Sequence, residues 1–294
     1  RGLGDVYKRQ ICSFMDFAEM LKLYNVRRYR AIATAACRMS ANTAAFCAEV
    51  KRTSGVDIEV ISEYEEARLT LLGARLNAQA GKKYLLVYDL GGGSTEVTLA
   101  TNAATPEILA TVSVPLGARN ATEMFGLANY NEAGAKALEE AVLKYLEPFF
   151  AQTAGIDYHG QAALVATSST PLRLVSLIKK MPKYDKFASD GVTVATADLD
   201  RVIGEILPLS YAKRAESVYI GPQRAKIFVA ALVIFRTIFR ALGEAELTAS
   251  LKSAQEAIVA ELAAEEDTGD AAGALLPAVE ERSSLGEPAE LSVS

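Results

Sequence analysis

Hydrophobic and polar positions change period several times along the chain, and each change marks an element. Residues 29–34 read as a short strand, residues 38–52 as a helix, 57–61 as a second strand and 63–77 as a second helix. Ser62-Glu63-Tyr64-Glu65 has the spacing of a capping box, in which the Ser oxygen and the third-position Glu each take an otherwise unpaired backbone N–H. Strand, helix, strand, helix implies an α/β layer. The next strand, residues 84–88, is apolar at every position, as expected for a central strand covered on both faces. It runs straight into Asp89-Leu90-Gly91-Gly92-Gly93-Ser94-Thr95-Glu96, with further strands at 97–100 and 108–114. Residues 132–152 carry Leu138, Val142, Leu143, Leu146 and Phe149 at helical spacing. A strand at 161–167, a helix after Pro171, and helices at 197–207 and 224–242 complete the pattern.

Composition narrows the class. With 294 residues, half of them hydrophobic, the chain can bury one large core or two moderate ones, and two compact domains are expected at 1–81 and 82–262. Beyond Leu262 the residues turn to Ala, Glu, Ser, Gly and Pro with little periodicity, so 263–294 reads as a disordered acidic tail. That tail holds eight acids and one Arg, which leaves the body near +2 although the whole chain is at -5. Nothing in this balance suggests a nucleic-acid partner. Residues 227–238 are the longest apolar stretch, broken by Arg236 and short of the roughly 20 residues that span a bilayer, so a buried helix is expected and no membrane partner. Three cysteines without metal spacing fit a reducing cytoplasm. His159 is the only histidine, which argues against a His-based triad or zinc site. The first ten residues have no start Met and no signal-peptide core, and read as the ragged edge of a fragment.

The glycine run is the strongest chemical signal. Three consecutive glycines are costly in entropy and make sense where the backbone adopts positive φ or approaches a ligand closely. Free N–H groups pointed together form an anion nest suited to phosphate, to which the Ser94 and Thr95 hydroxyls can add hydrogen bonds. Asp89 enters the turn and Glu96 leaves it, and two acids beside a phosphate call for a cation, of which Mg²⁺ is the natural choice. A ligand-free hairpin tip is the other reading of the same residues. Glu65 is explained by the cap; Glu66 is either a first-turn acid favoured by the helix dipole or a general base that activates water. Arg224, Lys226, Arg236 and Arg240, along one expected helix, either line a polyanion channel or are solvated.

Three segments taken together, Ala33-Thr34-Ala35-Ala36-Cys37-Arg38-Met39-Ser40-Ala41-Asn42, Ile61-Ser62-Glu63-Tyr64-Glu65-Glu66-Ala67-Arg68-Leu69 and the turn at 89–96, resemble the exopolyphosphatase/guanosine pentaphosphate phosphatase family in order and spacing. The resemblance extends to about residue 260. It implies an α/β fold of two actin-like, ribonuclease H-like lobes with the site in the cleft, the first lobe incomplete here. It also implies Mg²⁺-dependent removal of terminal phosphate from polyphosphate or pppGpp, and leaves room for a homodimer. By the same resemblance Glu66 is the catalytic base, Gly91, Gly92, Gly93, Ser94, Thr95 and Arg38 serve the phosphate, and Asp89 and Glu96 serve the metal and water. A non-catalytic phosphate- or nucleotide-sensing protein of the same fold is the rival reading. The departures are specific. No first phosphate loop precedes Tyr29, from which the chain alone is expected to be catalytically silent. The family's Ser-Gly-Thr reads Ser168-Ser169-Thr170, its Arg-Ala-Asp reads Arg224-Ala225-Lys226, and its final Gly-Leu-Arg-Glu-Gly reads Ser253-Ala254-Gln255-Glu256-Ala257.

Overall fold

The computed structural model describes residues 3–268. Helix α1 (Leu3–Leu23) is followed by strand β1 (Ala31–Ala33), helices α2 (Ala35–Arg38) and α3 (Thr43–Ser54), strand β2 (Ile58–Val60) and helix α4 (Glu63–Arg75). Strands β3 (Tyr84–Leu90), β4 (Thr95–Thr101) and β5 (Ile108–Val114) follow, then helices α5 (Ala118–Met124) and α6 (Glu132–Thr153), strand β6 (Ala162–Thr167), and helices α7 (Ser169–Ile178) and α8 (Lys186–Ser189). The last third holds β7 (Thr193–Ala195), α9 (Thr196–Ile206), α10 (Tyr211–Glu216), α11 (Pro222–Ala225), α12 (Phe228–Leu242), β8 (Glu246–Ser250) and α13 (Ala254–Thr268).

These elements make a mixed α/β fold with two sheets. The parallel pair β1 and β2 is the smaller, and six strands in the order β5-β4-β3-β6-β8-β7 make the larger. In the larger sheet β3, β6 and β8 run parallel at the centre, while β4, β5 and β7 are antiparallel neighbours. The continuous apolar run of β3 is explained by burial on both faces. Leu86, Tyr88 and Leu90 enter the main core with α6, α7, α9 and α12, whereas Leu85 and Val87 meet Leu71 and Ala74 of α4 on the other face. Each such fully buried side chain contributes about 1.5–3 kcal/mol by leaving water. Helix α12 is buried on nearly every side, as its apolar sequence requires, and no helix among the described residues is long and apolar enough to cross a membrane.

Several sequence expectations are corrected. The amino-terminal segment, where no element was expected, forms α1, because Tyr7, Ile11, Phe14, Ala18 and Leu21 recur at spacings of four and three; Ile11, Phe14, Ala18 and Leu21 share a small core with Val50 of α3, and Tyr7 stacks edge-on against Phe46 of α3. The helix expected at 38–52 breaks between Arg38 and Thr43, where the Thr43 hydroxyl donates to the carbonyls of Cys37 and Ser40 at 2.5 and 3.1 Å. The helix expected at 224–242 is likewise divided, into α11 and α12. Helices α5 and α10 and strands β7 and β8 carry no strong sequence period and were not anticipated.

The expected tail boundary at 263 falls inside α13, which continues to Thr268; residues 269–294 lie outside the described residues. Helix α13 packs its Ala257 and Ile258 against Ile61 and Leu69, so it sides with α4 and not with the six-stranded sheet. Charge reinforces this contact. Glu261 accepts from Arg68 at 2.6 Å, and Arg68 and Arg30 both bind Glu65. That arrangement corrects the capping box: Ser62 accepts from the Glu65 N–H at 3.1 Å, but the Glu65 carboxylate turns to the two arginines and away from the cap.

Candidate active site

The glycine turn is shaped from behind by α5. The Gly91 carbonyl accepts from the Ala118 N–H at 3.0 Å, that of Gly92 from Arg119 at 2.8 Å, and that of Gly93 from the Asn120 side chain at 2.8 Å. In a trans peptide the N–H points opposite to its C=O. With three successive carbonyls drawn toward α5, the N–H groups of Gly92, Gly93 and Ser94 therefore face the other way, together, into the cleft beside α2 and α4. None of the three glycines has positive φ. Their use is access, since a Cβ on Gly92 or Gly93 would meet only open space. Close approach is instead the task of Gly117, where a Cβ would lie 2.5 Å from the Gly92 carbonyl carbon. Gly117 and Asn120 were missed at the level of sequence, because nothing in the order of residues shows that α5 returns to the turn.

The carboxylates arrive from three elements. Asp89 of β3 and Glu96 of β4 are directly paired across the hairpin and so share a face of the sheet. In the same register line Ser113 stands beside Glu96, Thr167 beside Asp89, and Ser250 beside Thr167. A polar row thus crosses five strands at the edge of an otherwise apolar face, on the side covered by α4. Glu66, in the first turn of α4, is close enough for its charge to act on both acids. Burial pushes Glu96 up to about 7, the Ser94 hydroxyl partly offsets this, and the charges of Asp89 and Glu66 add to it. Asp89 is likewise raised, first by desolvation, with the neighbouring Thr167 opposing and Glu66 reinforcing the shift.

Arg38 ends α2 at the break in the expected helix, which frees its side chain to turn inward. Its Nη1 donates to Glu66 at 2.8 Å and to the Ile61 carbonyl at 3.0 Å. The contact orients Glu66, and Arg38 also lines a cavity of about 770 Å³ with Gly93, Ser94, Ser113 and Tyr64. Thr95, expected to serve the phosphate, is turned away: it is wholly buried and its hydroxyl donates to the Leu116 carbonyl at 2.7 Å. His159 lies far along the sheet beside Glu244, at 3.7 Å, apart from these groups. Arg240 is held by Asp200 of α9 at 2.7 Å. The structure thus brings together Arg38, Glu66, Asp89, Gly91, Gly92, Gly93, Ser94 and Glu96, and leaves Thr95 as a strut.

For a metal ion the site offers oxygen only. Among the described residues no three acidic, His or Cys side chains converge tightly enough to hold an ion by themselves. Asp89 and Glu96, crowded and mutually repelling, fit a hard dication that keeps waters and substrate oxygens as its remaining ligands.

Comparison with known proteins gives a consistent picture. The Ppx/GppA phosphatase family matches residues 4–266. "Exopolyphosphatase 2" of Mycobacterium tuberculosis is 28% identical over 240 residues, spanning 78% of this chain and 72% of that protein. Among solved structures, the Aquifex aeolicus member of the Ppx/GppA family superposes with a TM-score of 0.75 at 22% identity, covering 91% of this chain and 84% of that one. An exopolyphosphatase from Cytophaga hutchinsonii gives 0.77 at 19% identity, with 87% and 81% covered. These structures share the fold of this chain.

Proposed function

From the premise that this chain belongs to the Ppx/GppA phosphatase family, we propose that it hydrolyses the terminal phosphoanhydride bond of inorganic polyphosphate or of a guanosine polyphosphate such as pppGpp. The observation that carries this reading is the outward set of N–H groups at Gly92, Gly93 and Ser94, opposite Glu66 and flanked by Asp89 and Glu96. The N–H groups hold the oxygens of the terminal phosphoryl group, where charge accumulates as the bond breaks. Glu66, oriented by Arg38, takes a proton from water as the water oxygen bonds to phosphorus. The bridging P–O bond breaks at the same centre, and the shortened chain leaves with the electron pair on oxygen. Asp89 and Glu96 would hold Mg²⁺, which would supply charge neutralisation for the phosphoryl oxygens. No covalent enzyme intermediate is required, because positioning and electrostatics account for catalysis of this kind.

The test is phosphate release from polyphosphate, pppGpp and ATP in Mg²⁺, paired with tripolyphosphate binding by calorimetry. Glu66→Gln is expected to lower turnover by about 10²–10⁴-fold, the range of a lost general base, while binding and melting temperature stay unchanged. Equal turnover in Glu66→Gln and the parent chain overturns the assignment of the base. Binding without release from any substrate is the outcome expected of the sensor, and equally of an enzyme chain silent for want of the first phosphate loop.

A further inference from the structure

Three carbonyls of the glycine turn are drawn toward α5, but not by equivalent donors. Gly91 is held by the backbone N–H of Ala118 at 3.0 Å, and Gly92 by the backbone N–H groups of Arg119 at 2.8 Å and Asn120 at 3.3 Å. No substitution short of proline removes these bonds, since every other residue carries the same N–H. Among the described residues Gly93 is held by a side chain alone, the Nδ2 of Asn120 at 2.8 Å.

The same amide makes two further contacts. Its Nδ2 also donates to the Pro115 carbonyl at 3.0 Å, just past the end of β5, and its Oδ1 accepts from the Gly117 N–H at 2.7 Å, where α5 begins. One planar group thus ties the exit of β5, the head of α5 and the last glycine of the turn. Two acceptors and one donor face it, and only a side chain with an NH₂ beside a C=O answers all three.

The Gly93 carbonyl matters because of the other end of its peptide. That peptide's N–H belongs to Ser94, one of the three aimed into the cleft, and in a trans peptide it points opposite to the carbonyl. Once released from Asn120, the peptide turns about a glycine bond that is soft on both sides of zero φ. A Cβ built at Gly93 meets nothing, so no packing holds this part of the turn in place. A flip of the peptide replaces a donor in the cradle with a carbonyl oxygen directed at the anion.

We infer that Asn120 is a positioning residue for phosphate, one that stands behind the turn and keeps the Gly93–Ser94 peptide from presenting its carbonyl to the cleft. This rests on the proposed phosphate cradle. Two of the three inward N–H groups are fixed by main chain; the third depends on this one amide.

The test is calorimetry on the full chain with tripolyphosphate in Mg²⁺, with the melting temperature measured alongside. Asn120→Asp keeps the shape and still accepts from the Gly117 N–H, in a first helical turn that favours an acid, so its melting temperature is expected to match the parent's. It cannot donate to Gly93, and tripolyphosphate affinity is expected to fall at least about tenfold, the scale of one hydrogen bond to a charged group. Asn120→Ala is expected to show the same loss without any added charge, and a melting temperature lowered by about 2–4 °C for the missing bond at Gly117. A parent-like affinity in Asn120→Asp overturns the inference, because a role confined to capping α5 survives that change. A loss in Asn120→Asp that Asn120→Ala does not share is charge repulsion, and overturns it as well. Tripolyphosphate that fails to bind the parent chain overturns the cradle itself and, with it, the role of Asn120.

Discussion

A single carboxyl, Glu96, reports on the site without any substrate. Its folded value is pushed up to about 7 from an ordinary 4.5, so the folded state holds this proton more tightly than the unfolded chain does. The stabilisation is therefore full below the unfolded value and is lost as pH rises through about 7. Asp89, raised in the same direction, acts with the same sign. In metal-free buffer the protein should lose on the order of 3 kcal/mol between pH 4.5 and 7, as 1.36 kcal/mol per unit implies. Thermal melts across that range check this, with Glu96→Gln expected to flatten the dependence. Added Mg²⁺, if Asp89 and Glu96 hold it as proposed, should restore stability at pH 8 far more than at pH 5, since a cation favours the charged carboxylates. A Glu96→Gln protein with the parent's pH profile would show that the crowding of these acids is not felt.

Among the elements, α4 ties the candidate site to the sheet and to α13. Its head presents Glu66, its middle covers Leu85 and Val87 of the sheet, and Gly73 touches the chain just before α13. A Cβ at Gly73 would lie 1.9 Å from the Ser253 carbonyl oxygen, a backbone atom that cannot swing aside. Ala is the better helix former by about 1 kcal/mol. Even so, Gly73→Ala should destabilise the protein by about 1–3 kcal/mol, because the clash forces two backbones apart. It should also weaken phosphate binding, as α4 carries Glu66 with it. Urea unfolding measures the first effect and tripolyphosphate titration the second. A Gly73→Ala protein more stable than the parent would mean that α4 and α13 do not cross this closely.

Across the whole molecule, the six-stranded sheet is covered on both faces, whereas the two-stranded sheet is small and its strands have no further strand neighbour among the described residues. Strand β1 pairs only with β2 among the described residues, and an apolar groove of about 410 Å³ beside it is lined by Phe14, Phe17, Met20, Tyr24 and Ile32. Phe17, Met20 and Tyr24 are 54%, 50% and 72% exposed. Unpaired strand edges beside apolar surface promote association. Sedimentation should accordingly show concentration-dependent self-association, reduced by Phe17→Ser with Met20→Lys and without a change in phosphate binding. A monodisperse monomer at every concentration would refute this.

What sequence alone determined was local. The apolar run 84–88, the glycine turn with its flanking Asp89 and Glu96, and the Ser62 cap are written in consecutive residues, because strand, turn and helix start are decided by neighbours a few positions apart. Glu66 and Arg38 were legible only as spacing within a resemblance, and their mutual contact was not. Helix α1 has a readable period at Tyr7, Ile11, Phe14, Ala18 and Leu21. Tertiary structure alone decided which way the turn's N–H groups face, since that depends on Ala118, Arg119 and Asn120 drawing its carbonyls from some 25 residues downstream. It decided that Thr95 is a strut and Glu65 an ion-pair partner, each by offering a nearer acceptor or donor than the expected one. It also gave Ser168 its φ of 83°, because only the parallel pairing of β6 with β3 fixes where that backbone must turn. Local residue choice sets what each segment can form; the distant segment that packs against it sets which groups remain free for chemistry.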